Sequence, residues 1–137
     1  MPFEELDHTA DWSMHVWARN LNQLFIDACK GMNDLSGISL VREPRIEKKI
    51  TTSAPDIDGL LVSFLSDIIY FIENDNLAFD HFAVKLTLLE NQPCRLSADL
   101  RGAPILKIGK VIKAVTYHNL QIQPTKDGYE LIIVFDV

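Results

Sequence analysis

The sequence predicts an α+β fold: two helices packed on a mostly antiparallel, curved sheet, in a single domain over residues 1–137. Two segments place apolar residues at helical spacing. Several others alternate apolar and polar residues, as half-buried strands do. Turn signals join the later strands in pairs, which makes those pairs hairpins and hence antiparallel.

Taken in order, "MHVWA" (Met14 to Ala18) alternates and predicts a strand. The spacing then predicts a helix from about Leu21 to Leu35, with Leu21, Leu24, Phe25, Ala28 and Met32 on one face. Asn20 suits its N-cap and Gly37 its stop. "RIEKKITTS" reads as a strand with Ile46 and Ile50 inward and solvated lysines between them. In "SAPD", Ser53 and Asp56 resemble a capping box with a proline in the first turn. A wide apolar stripe follows, from Ile57 through Leu60, Leu61, Phe64, Leu65, Ile68 and Ile69 to Ile72, and "ENDN" ends the second helix. "FAVKLTLLE" carries Phe82, Val84, Leu86 and Leu88 on one side. "CRLSADLRG" repeats the pattern after a turn at "ENQP", so the two form a hairpin. "HNLQIQP" and "YELIIVFDV" flank the turn "TKDG", a second hairpin. "RGAPILKIGKVIKAV" is consistent with a loop followed by either a strand or a short helix.

Composition bounds the rest. A chain of 137 residues, 47% hydrophobic, has the make-up of one ordinary globular domain rather than a disordered segment. At this length roughly 68% of the unfolded surface is buried on folding, enough for a core without disulfide staples. Cys29 and Cys94 are far apart in the chain and lack metal-ligand spacing, so both are expected reduced. The start "MPFEELDHTAD" is acidic and has no apolar core of a signal peptide. No apolar run approaches the ~20 residues of a membrane span. A cytoplasmic protein is expected. The net charge of −6 argues against a broad electrostatic grip on nucleic acid, and stable direct binding to it is not expected. A basic partner is easier to reconcile with that charge.

Three polar clusters remain: "DHTAD" (Asp7 to Asp11), "KAVTYH" (Lys113 to His118) and the final "FDV" (Phe135 to Val137). Each has an ordinary reading. Asp11 can satisfy turn amides. His8 and His118 can make structural hydrogen bonds, and Lys113 can sit on a solvated face. Tyr117 reads as half core and half polar handle. Asp136 can belong to a plain sheet edge. The clusters gain meaning if they meet. Should the last strand pair near the first, Asp11, Asp136 and the Val137 carboxylate converge. Three anions together repel unless a proton or cation neutralises them. Oxygen ligands suit calcium, magnesium or manganese. The histidines leave zinc open, but no His-x-x-x-His or cysteine pair supports it. A chain stopping on "FDV" fits, because a tail would remove the terminal carboxylate.

At this point the sequence resembles a known family. "DHTADWSMHVWARNLNQLF" is similar to the N-terminal signature of the archeases, "KAVTYHNL" to their central one, and "FDV" to their Phe-Asp-aliphatic ending. The likeness spans the chain. One stretch departs: "WSMHVWA" stands where family members commonly carry smaller residues and a glycine. The resemblance implies an accessory protein of the RtcB-type RNA ligase, which joins broken RNA ends, including tRNA halves. Archeases help that ligase take up guanylate from GTP and turn over repeatedly; they are not enzymes themselves. It also implies a metal site on Asp11, Asp136 and Val137, the last through main-chain oxygen, with calcium foremost. His8, Lys113, Tyr117 and His118 would flank it. An acidic, metal-competent corner would then reach the ligase's active-site mouth. Alternatively, the site would only tie the first loop to the last strand.

Two other classes stand beside this reading. A metal-dependent phosphate-ester hydrolase would use the carboxylates with His118 and Lys113 to activate water. The sequence has no Gly-rich phosphate loop, nucleophile elbow or second acid cluster to go with it. A chaperone-like or RNA-binding module is the other; the acidic charge and the lack of a basic aromatic stripe oppose RNA binding. "RIEKK" and "KIGKVIK" are the local basic stretches.

Overall fold

The structure is a computed structural model that describes residues 2–6 and 12–137. Nine strands and two helices are found among them, in the order β1 (Phe3–Leu6), β2 (Trp12–Ala18), α1 (Leu21–Ser36), β3 (Ser39–Leu40), β4 (Ile46–Ala54), α2 (Ile57–Asp75), β5 (Leu77–Thr87), β6 (Cys94–Lys107), β7 (Ala114–Val115), β8 (Gln123–Thr125) and β9 (Gly128–Asp136). Every strand pair described is antiparallel. The fold is the expected α+β arrangement of two helices on antiparallel strands, but the strands divide into two sheets rather than one curved sheet. One runs β1-β2-β9-β7, with β8 also on β9; the other runs β3-β6-β4, with β5 also on β6.

Local chemistry explains the helices. The Asn20 side chain accepts from the Gln23 N–H, and Gly37 closes α1 in the left-handed region at φ 65°. Asp56 caps α2 by accepting from the Gly59 N–H at 2.7 Å. Asp56 is therefore the cap itself. Ser53 lies in β4 and Pro55 precedes the helix, because a paired strand runs up to Ala54 and leaves one proline before the cap. Asn76 ends α2 in the left-handed region, as "ENDN" suggested.

The two hairpins form with changed limits. β5 starts at Leu77, five residues before the alternation becomes clean, and ends at Thr87, so Leu88 is 46% exposed and outside the strand. β6 continues to Lys107 because it gains new partners there: Leu77 opposite Pro104 and Leu40 opposite Ile105. That resolves the first part of the ambiguous stretch as strand. Its end gives only the two-residue strand β7. In "HNLQIQP" only the end forms strand, at β8, and a two-residue turn returns the chain to β9.

Both helices touch both sheets. α1 packs on β1, β2 and β9 and on β5; α2 packs on β4, β5 and β6 and reaches β7. One apolar cluster runs through all of them, with Phe25, Phe64, Phe79 and Phe135 fully buried. Burying such side chains contributes about 1.5–3 kcal/mol each. Cys29 is buried and Cys94 half-buried, and both are free thiols.

Candidate functional site

The site grows from strand β9, which runs between β2 and β7. Trp12 pairs with Phe135 across β2 and β9, and Val115 pairs with Phe135 across β7 and β9. Phe135 and Val115 are both buried. Successive side chains of a strand point to opposite faces. Asp136 and its partner Ala114 therefore turn to the outer face, and both are exposed. The inward pull of Phe135 is what aims Asp136 outward.

Main-chain hydrogen bonds fix this edge. The Lys113 N–H donates to the Asp136 carbonyl at 2.8 Å, and the Thr116 N–H to the Val134 carbonyl at 2.9 Å. The segment before β7 is tied to the end of α1: the N–H groups of Gly109 and Lys110 both donate to the Ser36 carbonyl, at 2.8 and 3.0 Å. From there the Lys110 ammonium lies 5.1 Å from the centre of the Trp12 ring. After β7, the Ile122 N–H donates to Asp58 Oδ1 at 2.8 Å, which anchors that loop to the first turn of α2. The His118 N–H donates to Thr116 Oγ1 at 3.3 Å, and Asn119 takes a left-handed conformation at φ 53°.

The structure gathers Lys113, Asp136 and Val137 at one corner. Val137 is half-buried against the core. Lys113 and His118 are exposed. Tyr117 is 67% exposed and does not reach the core as expected. Val115, two residues earlier, fills the inward position, and Tyr117 falls after the strand has ended. Asp11 and His8 lie outside the described residues. Among the described residues, no three His, Cys, Asp or Glu side chains converge on one point.

The donors that are described suit a hard cation. The Asp136 carboxylate makes no ion pair among the described residues. Its carbonyl is spent on Lys113, leaving the side chain and the neighbouring Val137 oxygens as available donors, all of them oxygen. Sequence reasoning did not single out Trp12, Lys110 or Asp58. An acid in the first turn of a helix looks like a dipole partner, and only the folded loop reveals the Ile122 amide it holds.

Two solved structures share this fold. The chain resembles the solution structure of protein 1598 of Methanobacterium thermoautotrophicum, with a TM-score of 0.79 and 20% identity over 99% of each chain. It also resembles the crystal structure, at 2.0 Å, of an archease from Thermotoga maritima described as a possible chaperone, with a TM-score of 0.69 and 24% identity over 98% of this chain and 96% of that one. Residues 3–137 match the Archease protein family (MTH1598/TM1083). Among curated relatives, the protein archease of Methanopyrus kandleri is 33% identical, covering 93% of each chain. That of Methanosarcina barkeri is 30% identical, covering 98% of this chain and 95% of its own. The chain belongs to the archease family.

Proposed function

We propose that this protein is a cytoplasmic accessory factor of an RtcB-type RNA ligase, promoting the ligase's guanylation and repeated turnover in tRNA splicing or RNA repair. Membership of the archease family supports this reading of the partner. The observation that carries the role of the site is the pairing of Trp12 with Phe135. Asp11 precedes Trp12 by one peptide and Asp136 follows Phe135 by one. Asp11, Asp136 and the Val137 main-chain oxygen would form an all-oxygen ligand set, which suits calcium, magnesium or manganese. His8, Lys113, Tyr117 and His118 are assigned to its flanks.

A divalent cation held there supplies positive charge that neutralises phosphate oxygens. The chain's own part is to present that corner. Asp136 is turned outward by buried Phe135. The loops on either side are held by Ser36 and Asp58, so an exposed polar edge is offered on a fixed frame. In this reading the protein performs no covalent step; it orders the ligase's groups for attack on the GTP α-phosphate. The test is a guanylation time course of a matching ligase, with and without this protein, across divalent ions. Stimulation that depends on Asp11 and Asp136 is the expected result. Unchanged guanylation with every ion overturns the assignment, and release of phosphate from simple esters by the protein alone would favour a hydrolase instead.

A further inference from the structure

At the far end of the β2–β9 pair lies a cavity that the proposed site does not use. It opens where Trp17 and Ala18 of β2 face Glu130 and Tyr129 of β9, beside the start of α1. Trp12 is five residues away along β2, about 17 Å at the rise of a strand. The cavity has a volume of about 580 Å³, within the range of small-ligand pockets. Pro2, Trp17, Ala18 and Tyr129 give it apolar walls.

Its floor is unusual. Asp27 of α1 lines the cavity and is only 5% exposed. Its carboxylate accepts a hydrogen bond from Gln23 Nε2 at 2.8 Å, and no Lys, Arg or His pairs with it among the described residues. A buried carboxylate is costly unless hydrogen bonds or a cation satisfy it, and among the described residues the Gln23 amide is the partner Asp27 has. Two further carboxylates, Asp127 and Glu130, stand on the lining. Glu130 is partly committed, accepting from His15 Nε2 at 3.0 Å. The single Arg in the lining, Arg19, is exposed and makes no ion pair among the described residues.

We infer that this cavity is a receptor for an alkyl guanidinium or ammonium group. The cation's head meets Asp27, and its stem lies along the apolar walls, as such side chains do when they bury their methylenes. Tyr129 and Trp17 are the aromatic residues of the lining, and aromatic rings attract such a charge. A guanidinium matches a carboxylate with two parallel hydrogen bonds and fits best. The lining carries three carboxylates, Asp27, Asp127 and Glu130, against Arg19 and His15, which favours a cation over an anion. The chain's net charge of −6 draws such a ligand in.

The test is a ¹H–¹⁵N titration of the intact chain with three probes: agmatine, a blocked peptide containing one arginine, and the same peptide with citrulline. The Trp17 indole N–H should shift saturably with a cationic probe and stay still with citrulline, while the Trp12 indole does not move. Saturation by agmatine alone identifies a small free cation; saturation by the arginine peptide identifies a side chain of a basic partner. Asp27→Asn, which keeps shape and removes charge, should weaken binding about tenfold or more. Should that variant not fold, Asp127→Asn on the lining should weaken binding and Arg19→Ala should tighten it. No saturable shift with either cation, or equal shifts with citrulline, overturns the inference. Ligase stimulation is not part of the readout, so the two assignments fail separately.

Discussion

Trp12 of β2 lies directly opposite Phe135 of β9. One contact thus joins the beginning of the described second strand to the end of the last one. Phe135 is fully buried, and Trp12 is packed against the same core with the Lys110 ammonium over its ring. Asp136, next in the chain, has no inward place left and turns out. The candidate site is a consequence of core packing: the burial of one ring fixes the direction of the neighbouring carboxylate.

That geometry predicts a separation of stability from activity. Asp136 is exposed and makes no side-chain hydrogen bond or ion pair among the described residues. Asp136→Ala should change stability within about 0.5 kcal/mol, as surface substitutions usually do, while abolishing stimulation of ligase guanylation. Thermal melting and a guanylation assay on the same preparation check this. A large drop in melting temperature with stimulation kept at low temperature would show the site to be only structural.

The loop beyond β7 depends on one carboxylate. Asp58→Ala leaves the Ile122 N–H without its acceptor. The expected cost is about 1–3 kcal/mol, that of a half-buried hydrogen bond to a charged group. Urea unfolding measures it. Hydrogen exchange at Ile122 should speed up more than exchange in β9, because the loop loosens before the sheet does.

Acid dependence should show two opposed contributions. Burial on α2 pushes the Asp67 carboxyl above its ordinary range. The folded state then holds that proton more tightly than the unfolded one, so stability from this group falls as pH rises through the ordinary Asp value near 3.9 toward the raised one. Asp67→Asn should therefore raise the melting temperature near neutral pH, with the gain vanishing below about pH 4. Asp80 behaves oppositely. Its two hydrogen bonds from Arg45 hold it below the usual range. Its support is present above the ordinary value and lost as pH falls through the lowered one. A carboxyl NMR titration of Arg45→Ala should find Asp80 moved back up.

A close backbone approach sets the last prediction. A Cβ on Gly102 would lie 1.8 Å from the Ala78 carbonyl oxygen. Gly102→Ala should cost several kcal/mol, since the clash is with backbone rather than a side chain that can turn away. Denaturant unfolding is the measurement, and a cost below about 1 kcal/mol would mean that the β5–β6 pair can spread at this point.

The sequence by itself determined what depends on near neighbours. Asn20 and Gly37 cap α1, and Asp56 caps α2, through bonds spanning a few residues, so both helices are legible at close to their true limits. The alternation of Val84 and Leu86 with polar residues, and of Leu96, Ala98 and Leu100, was likewise readable as a hairpin. The motifs around Lys113 and Asp136 singled out one corner by resemblance, though not Trp12 or Asp58, and the pairing of β7 with β9 brings those two motifs together. Tertiary structure decided everything that required a distant partner. The start of β5 hides in consecutive buried residues, Leu77, Ala78 and Phe79, followed by a register shift, so no period of two announces it. β6 outruns its alternation because Leu40 and Leu77 wait beside it. β1 is only four residues long and forms by pairing with β2. The division into two sheets, the outward turn of Asp136 and the floor of the Asp27 cavity share that origin. Strand pairing and burial are set by residues far apart in sequence, and a linear pattern records each side chain's own preference but not which surface it will meet.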